Sequence, residues 1–139
     1  MGGSIPLLHP GEKVHAGLLA QYEGQARRAF IGVVEAYADG LLRLRGKSWL
    51  YDPLEGIYVP KPDERVRLIS VSSGRYVVNI LPPETDLDNV RYHLRPDGSM
   101  ILTDGGTLMM DVSEGDLRMP RRRPTRPPAR GAAGPGDAI

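Results

Sequence analysis

The sequence predicts an all-β domain, an antiparallel small barrel or sandwich of about 8–9 short strands, followed by a C-terminal tail that is disordered or ordered by a partner. Short apolar segments with period-two alternation recur about every 8–12 residues, separated by turn residues. No segment before residue 107 shows the helical period, so the crossover helices that a parallel sheet requires are not indicated. The tail, 118–139, contains six Arg and five Pro and is too poor in apolar residues to form a core.

The clearest strand and turn signals lie near the beginning of the chain. Val14–Ala20 alternates between apolar and more polar residues, as a half-buried strand does. Arg28–Tyr37 is rich in Val, Ile and Phe, and Gly32 within it marks a bulge or a close backbone contact. Asp39-Gly40 predicts a two-residue hairpin turn, because both central positions of such a turn need a positive φ.

Three further short strands are expected after this turn. Leu41–Arg45 alternates in polarity, and Gly46 is expected to break it before Ser48–Tyr51 begins another strand. A Pro-containing turn then leads into Ile57–Val59. Since Pro60 has no amide hydrogen to donate, this strand is short or lies on a sheet edge, where it could accept a partner strand.

The second half of the domain continues the same pattern. Residues 84–89 can form a loop or a single helical turn, and a Pro-Asp-Gly sequence predicts a hairpin turn between two later strands. A short final strand is favoured over a helix near the end of the domain. The predicted strands are Arg65–Val71, Arg75–Leu81, Val90–Leu94, Ser99–Thr103 and Thr107–Val112.

Charge and composition divide the chain into an N-terminal extension (1–12), a β domain (13–117) and the tail (118–139). Residues 1–117 hold 12 basic and 16 acidic side chains, whereas the tail holds six Arg and one acid. Such a split is typical of an interaction arm that becomes ordered when it docks. The tail arginines are therefore the predicted partner-binding residues: Arg118, Arg121, Arg122, Arg123, Arg126 and Arg130.

Several kinds of site and segment are excluded or unsupported. The chain has no Cys, which excludes disulfides, Cys-ligated metals and a thiol nucleophile. Its longest apolar stretch, Ala29–Val34, is far shorter than the roughly 20 residues that a membrane span needs. We find no secretory signal pattern and expect a cytoplasmic protein, or a virion protein if the chain is phage-encoded. We interpret His9, His15 and His93 as surface or rim residues.

A row of basic and aromatic residues forms one candidate site. Arg43, Arg45 and Lys47 share one strand parity with Trp49 and Tyr51, provided that the intervening glycine does not reset the register. Bases stack on aromatic rings and phosphates pair with Arg, so the row could form a groove for single-stranded nucleic acid. The alternative is a solvent-facing polar strand beside a core Trp. The negative charge of the body opposes a broad phosphate footprint.

Carboxylates form another candidate site. Asp86 and Asp88 are two residues apart and would point the same way on extended backbone, and Asp104 follows the next hairpin. Oxygen ligands of this kind suit Mg²⁺ or Mn²⁺. The alternative is that these aspartates serve turn geometry, which is the usual role of Asp in turns.

A short family resemblance accompanies these carboxylates. The order Tyr-Val-Val-Asn-Ile-Leu-Pro-Pro, Leu87-Asp88, Pro96-Asp97-Gly98 and Asp104 resembles the small-barrel nucleotide hydrolases related to the fosfomycin-pathway nucleotidyl hydrolase. The resemblance implies metal-dependent hydrolysis with Asp86, Asp88 and Asp104 holding the ion. It covers about 30 residues, and Asp104 is followed by Gly-Gly-Thr instead of further acids, so we do not assign the family on it.

Three functions follow from these patterns. The favoured one is a non-catalytic, β-rich structural or interaction protein of a bacterium or phage. It would act without a cofactor in a larger assembly, bound to protein subunits, with its basic arm docking on an acidic partner or on RNA or DNA. The first alternative is a small barrel that binds single-stranded nucleic acid. The second is a divalent-metal-dependent nucleotide phosphohydrolase that uses Mg²⁺ or Mn²⁺.

Overall fold

The computed structural model describes residues 7–20 and 27–113, which form nine strands in two antiparallel sheets. The all-β prediction and the strand number are therefore confirmed. A 3₁₀ turn, Leu87–Asn89, connects the sheets, and the tail prediction lies outside the described residues. The larger sheet contains β1 (Lys13–Leu18), β2 (Arg28–Ala38), β3 (Leu41–Asp52), β4 (Ile57–Pro60), β5 (Arg65–Ser70) and β6 (Tyr76–Ile80). The smaller sheet contains β7 (Arg91–Leu94), β8 (Met100–Thr103) and β9 (Met109–Asp111).

The larger sheet stays open and does not close into a barrel. Its hydrogen-bonded order is β4-β3-β2-β1-β6, and β5 pairs with the first half of β3 while β4 pairs with the second half. The predicted edge position of Ile57–Val59 is thus confirmed. Although β5 and β6 follow one another in the chain, they pair with β3 and β1 respectively. Within the described chain each has a single partner strand, so the sheet keeps an edge at both places.

The long β2–β3 hairpin organises the larger sheet. Asp39 and Gly40 have φ angles of 53° and 77°, as the predicted two-residue turn requires. Gly32 and Gly46 face each other across the hairpin. A Cβ atom on Gly46 would lie 2.0 Å, and one on Gly32 2.1 Å, from a carbonyl oxygen of the opposing strand. Because glycine permits this approach, β3 runs unbroken through Gly46. The expectation that this glycine ends a strand is wrong, whereas the close contact expected at Gly32 is confirmed.

Two hydrophobic clusters lie on opposite faces of the larger sheet. Side chains alternate along a strand, so Val14 and Ala16 of β1 point to one face and His15 points to the other. The first face buries Leu8, Val14, Ala16, Phe30, Val34, Leu42, Leu44 and Ile69. The smaller sheet covers part of the second face, where the cluster contains Ala29, Ile31, Trp49, Leu81, Val90, Tyr92, Met100, Leu102 and Leu108.

The connection between the two sheets is held by Lys13. Its ammonium group donates hydrogen bonds to the carbonyl oxygens of Pro83 at 2.7 Å and Thr85 at 2.6 Å. Thr85 is itself buried, so these contacts tie the start of β1 to the segment that leads into the smaller sheet. This fixes the position of the smaller sheet over the face that carries His15.

Candidate functional site

The predicted partner-binding arginines lie outside the part of the chain that the structure describes. They belong to the segment that begins at residue 114. The residues concerned are Arg118, Arg121, Arg122, Arg123, Arg126 and Arg130. Partner binding by these arginines therefore stays a prediction. The structure does describe the two alternative sites, the basic and aromatic row on β3 and the carboxylate cluster.

The basic row on β3 is continuous. The register of β2 and β3 passes through Gly46 without a shift, so Arg43, Arg45 and Lys47 share one face and are exposed. Glu35, on the adjacent strand, accepts hydrogen bonds from Nε of Arg43 at 2.9 Å and from Nε of Arg45 at 2.6 Å. These contacts, led by the bond from Arg43, hold the pKa of Glu35 below its usual range. Two of the three cations are therefore paired with a carboxylate on their own sheet.

The aromatic residues that continue this row are packed against other rings. Trp49 is 7% exposed and lies edge-on to Tyr92 with 5.3 Å between ring centres. Tyr51 is half-buried and lies edge-on to Tyr58 at 5.5 Å. The guanidinium carbon of Arg27 lies 4.7 Å from the centre of the Tyr51 ring. Trp49 therefore belongs to the hydrophobic core, as the alternative prediction of a polar strand beside a core Trp expects.

A cleft of about 190 Å³ runs beside the basic row. Arg45, Lys47 and Trp49 line it, and so do the carboxylates of Glu64 and Asp88. The carboxylates reduce the attraction of the cleft for phosphate. Little of the Trp49 ring is accessible for a base to stack on, since the residue is 7% exposed. Nucleic-acid binding at this row stays a prediction, and the cationic rim of the cleft is the feature that favours it.

The carboxylates predicted to hold a metal serve the backbone of neighbouring loops. Asp86 caps the 3₁₀ turn, with Oδ1 accepting the amide hydrogen of Asp88 at 3.1 Å. Oδ1 of Asp104 accepts the amide hydrogens of Gly106 at 2.8 Å and Leu108 at 3.0 Å, and its Oδ2 accepts that of Asp86 at 2.8 Å. These backbone hydrogen bonds, first among them the one from Asp86, lower the pKa of Asp104.

This use of the carboxylates matches the turn-geometry interpretation. Asp86 and Asp104 do lie together, but both oxygens of Asp104 already accept backbone amides. The extended backbone expected to align Asp86 with Asp88 ends where the 3₁₀ turn begins. Within residues 7–20 and 27–113, no group of three or more His, Asp or Glu side chains is placed to hold a metal ion. Metal binding by Asp86, Asp88 and Asp104 stays a prediction without a geometric arrangement to support it.

A buried His–Tyr pair lies between the two sheets. Nε2 of His15 lies 2.8 Å from the hydroxyl oxygen of Tyr92, although the two residues are 77 positions apart in the chain. His15 is 5% exposed, so its interpretation as a surface residue is wrong, whereas His9 and His93 are exposed as expected. The alternation of β1 correctly assigns His15 to the more polar face. That face is buried because the smaller sheet covers it.

Tyr92 is the centre of an aromatic cluster around this pair. Its ring stacks on Tyr58 at 4.6 Å, and its neighbours Trp49 and His15 lie edge-on at 5.3 Å and 5.9 Å. Burial lowers the pKa of His15 to about 4, against a smaller opposing contribution from its own backbone. Burial also raises the pKa of Tyr92 well above its usual value, with a further contribution from Tyr58. At neutral pH both members of the pair are therefore uncharged.

A small cavity of about 20 Å³ adjoins the pair. Its lining includes His15 and Gly17 of β1, Asn79 of β6, and Tyr58 and Tyr92 from the opposite side. A Cβ atom on Gly17 would lie 3.3 Å from Cε1 and 3.9 Å from Nδ1 of His15, so the absence of that atom leaves the space beside the imidazole. Nδ1 of His15 is buried and has no hydrogen-bond partner among the described residues. We call this space, with its lining, the imidazole cavity.

Comparison of the chain with known protein families, with curated proteins and with solved structures gave no match. Among residues 7–20 and 27–113 there is no helix with the length and apolar character needed to cross a membrane. The fold and the geometry of these sites are therefore the basis for inference about function.

Proposed function

We propose that this chain is a non-catalytic, β-rich interaction protein that is built into a larger assembly. Its basic C-terminal arm, residues 118–139, docks on an acidic or nucleic-acid partner, and its β domain contacts protein subunits. The observation that supports this most strongly is the open edge at β5. An unpaired strand edge presents amide and carbonyl groups that a strand of a partner can complete.

Apolar side chains accompany this edge. Leu68 is 63% exposed on β5, and Val66 and Leu41 on the same face are also exposed. We call these three residues the edge patch. Leu68 faces Arg43 and Val66 faces Arg45 across the strand pair. Large apolar side chains on an edge strand favour association with another chain, because their burial removes apolar surface from water.

The arm supplies the second contact. Its six arginines and five prolines, with almost no large apolar side chains, are the composition typical of a segment that acts by docking on a partner. Six guanidinium groups can pair with carboxylates or with phosphates, in a manner that tolerates sequence variation in the partner. A cytoplasmic assembly and a virus particle would both provide such a partner.

Truncation of the arm tests this function. A tagged full-length chain and a chain ending at Leu117 are purified from the native host, and the bound partners are compared. The full-length chain should retain partners that the shorter chain loses. The melting temperature of the β domain should be the same in both chains. A markedly lower melting temperature of the shorter chain would show that the arm is an integral part of the fold. Identical sets of partners would show that the arm does not dock.

The edge patch needs its own variant and control. Leu68→Lys places a charge on the exposed edge strand, and Leu54→Lys makes the same change at a turn residue that is 93% exposed. We expect Leu68→Lys to lose the protein partners that bind the β domain and Leu54→Lys to keep them, because charged side chains on edges oppose strand pairing. Equal behaviour of the two variants would exclude the edge patch as the contact.

A further inference from the structure

The outer edge of β5 presents the backbone groups of alternate residues. The amide of Val71 donates to the carbonyl oxygen of Gly40 at 2.9 Å, one step beyond the paired residues of β5 and β3. Along an antiparallel pair, residues that exchange hydrogen bonds alternate with residues that do not. The backbone groups of Arg67 therefore point toward β3, and those of Val66 and Leu68 point outward. A strand added at this edge can bond to both residues.

The free part of this edge has a defined end. The outward carbonyl oxygen of Ser70 accepts a hydrogen bond from the hydroxyl of Ser73 at 3.1 Å, so the turn after β5 uses it. Leu68 is the last outward residue before this turn and is 63% exposed. In the other direction the chain is exposed from residue 61 to Val66. A docked strand therefore pairs with the first part of β5, up to Leu68.

The two faces of β5 beside this edge differ in chemistry. Val66 and Leu68 point to one face of the sheet, and Arg65 and Arg67 point to the other. The guanidinium carbon of Arg67 lies 5.6 Å from the centre of the Phe30 ring, and Arg65 is exposed. Within the described chain neither arginine forms an ion pair with a carboxylate. The edge is therefore apolar on one face and cationic on the other.

We propose that the β5 edge binds an extended segment of a protein partner in which acidic and apolar residues alternate. The segment pairs antiparallel with β5, as every described strand pair of both sheets does. Its acidic side chains lie opposite Arg65 and Arg67, and its apolar side chains lie opposite Val66 and Leu68. This inference rests on the proposed function, because it assigns a partner chemistry to the edge patch.

The arginines select among the strands that could occupy this edge. Arg67 would belong to a pair without direct hydrogen bonds, in which opposite side chains lie closest. Opposite charges at such positions stabilise a strand pair, and like charges destabilise it. In a second copy of this chain, the register that pairs Val66 with Leu68 in both directions places the two Arg67 side chains opposite each other. Self-pairing and a basic segment are therefore both disfavoured, and an acidic segment is favoured.

Synthetic peptides with capped ends test this chemistry on the full-length protein. One peptide alternates Val with Glu, and a second alternates Val with Lys. In antiparallel docking the valine amides face β5, so N-methylation of the Glu or Lys amides leaves the docking edge intact and blocks association between peptides. A third peptide, with Val and Glu but with methylated valine amides, cannot donate to β5 and should not bind.

The readout is hydrogen exchange of individual amides in ¹⁵N-labelled protein. The amides of Val66 and Leu68 should exchange rapidly in the free protein and slowly with the Val-Glu peptide, whereas the amide of Arg67, bonded to β3, should not change. The Val-Lys peptide and the valine-methylated peptide should leave all three amides unchanged. Slow exchange of Val66 and Leu68 that depends on protein concentration alone would identify a second copy of this chain as the occupant and overturn the proposal.

Charge reversal determines whether the arginines select the partner. Arg67→Glu should weaken binding of the Val-Glu peptide about fivefold or more and strengthen binding of the Val-Lys peptide. Arg95→Glu is the matched control, because it makes the same charge change at an exposed position beside the smaller sheet, and it should bind as the parent does. If Arg67→Glu does not fold, Arg65→Glu takes its place.

The outcomes separate this inference from the proposed function. Equal affinity of the parent for the Val-Glu and Val-Lys peptides would overturn the inference, as would equal affinity of Arg67→Glu and Arg95→Glu for the Val-Glu peptide. If Leu68→Lys loses protein partners but the parent does not bind the Val-Glu peptide, the inference fails and the proposed contact at the edge patch stands. If Leu68→Lys keeps every partner, the proposed contact itself fails.

Discussion

Because His15 is buried without charge, the stability of the domain should decline in mild acid. Its pKa is lowered from 6.5 to about 4 in the folded protein. Between these values the unfolded chain binds a proton that the folded chain does not, so acid favours unfolding. The contribution is fully present above pH 6.5 and is lost as the pH falls toward about 4. It amounts to about 3 kcal/mol in all, of which about 2 kcal/mol is lost by about pH 5.

The other titratable groups near the imidazole contribute little to the change in unfolding free energy over this pH range. The pKa of Tyr92 is raised well above its usual value, and none of the described residues that line the cavity is acidic. Glu35 and Asp104 have lowered pKa values, so their own contributions are lost at more acidic pH. A decline between about pH 6.5 and pH 5 therefore reports mainly on His15.

Urea unfolding followed by the fluorescence of the single Trp49 measures the free energy of unfolding at each pH. His15→Gln should remove most of the decline, because glutamine does not titrate. His93→Gln, at an exposed position on the strand that carries Tyr92, should retain it. A parent protein whose stability is constant from about pH 8 to pH 5 would refute the assignment, as would a His15→Gln variant with the slope of the parent.

Three further predictions concern the hairpin and the alternative sites. Gly46→Ala should destabilise the domain by about 3 kcal/mol or more in urea unfolding, because the new Cβ would clash with the backbone of β2. The control Gly106→Ala should change stability by less than about 1 kcal/mol. Equal effects of the two substitutions would contradict the close approach of the two strands at Gly46. Oligonucleotides should bind the full-length chain in a salt-dependent manner without quenching the fluorescence of Trp49, and a chain ending at Leu117 should not bind them. Quenching of Trp49 fluorescence in the truncated chain would support the nucleic-acid groove on β3. Calorimetry with Mn²⁺ should give no heat of binding, because Asp104 accepts three backbone amides, and heat lost in Asp104→Asn would support the hydrolase alternative.

Much of the secondary structure follows from local physical constraints. Alternating polarity and turn residues placed the strands, and Asp39-Gly40 identified the hairpin because few residue pairs accept two positive φ angles. The expected strand break at Gly46 is wrong because the role of this glycine depends on Gly32, which faces it across the hairpin. A local pattern cannot distinguish a strand break from a close crossing.

The pairing of the strands depends on distant parts of the chain. The predicted strands Arg65–Val71 and Arg75–Leu81 follow one another closely and could have paired as a hairpin, yet β5 pairs with β3 and β6 pairs with β1. The two arrangements bury similar alternating patterns, so the alternation alone does not choose between them. The open edge and the edge patch of Leu41, Val66 and Leu68 appear only when the whole sheet is assembled.

The β architecture, the hairpin turn and the contrast between an acidic body and a basic arm can be predicted from local sequence, because alternation, turn residues and charge are properties of neighbouring residues. Three features depend on tertiary packing: Trp49 is buried, Asp104 accepts the amide hydrogen of Asp86, and His15 is hydrogen-bonded to Tyr92. The alternation of β1 places His15 on the more polar face. That face is shielded from solvent only because the smaller sheet, formed by residues far along the chain, covers it. Burial is a property of the assembled fold, and burial gives this histidine its neutral state.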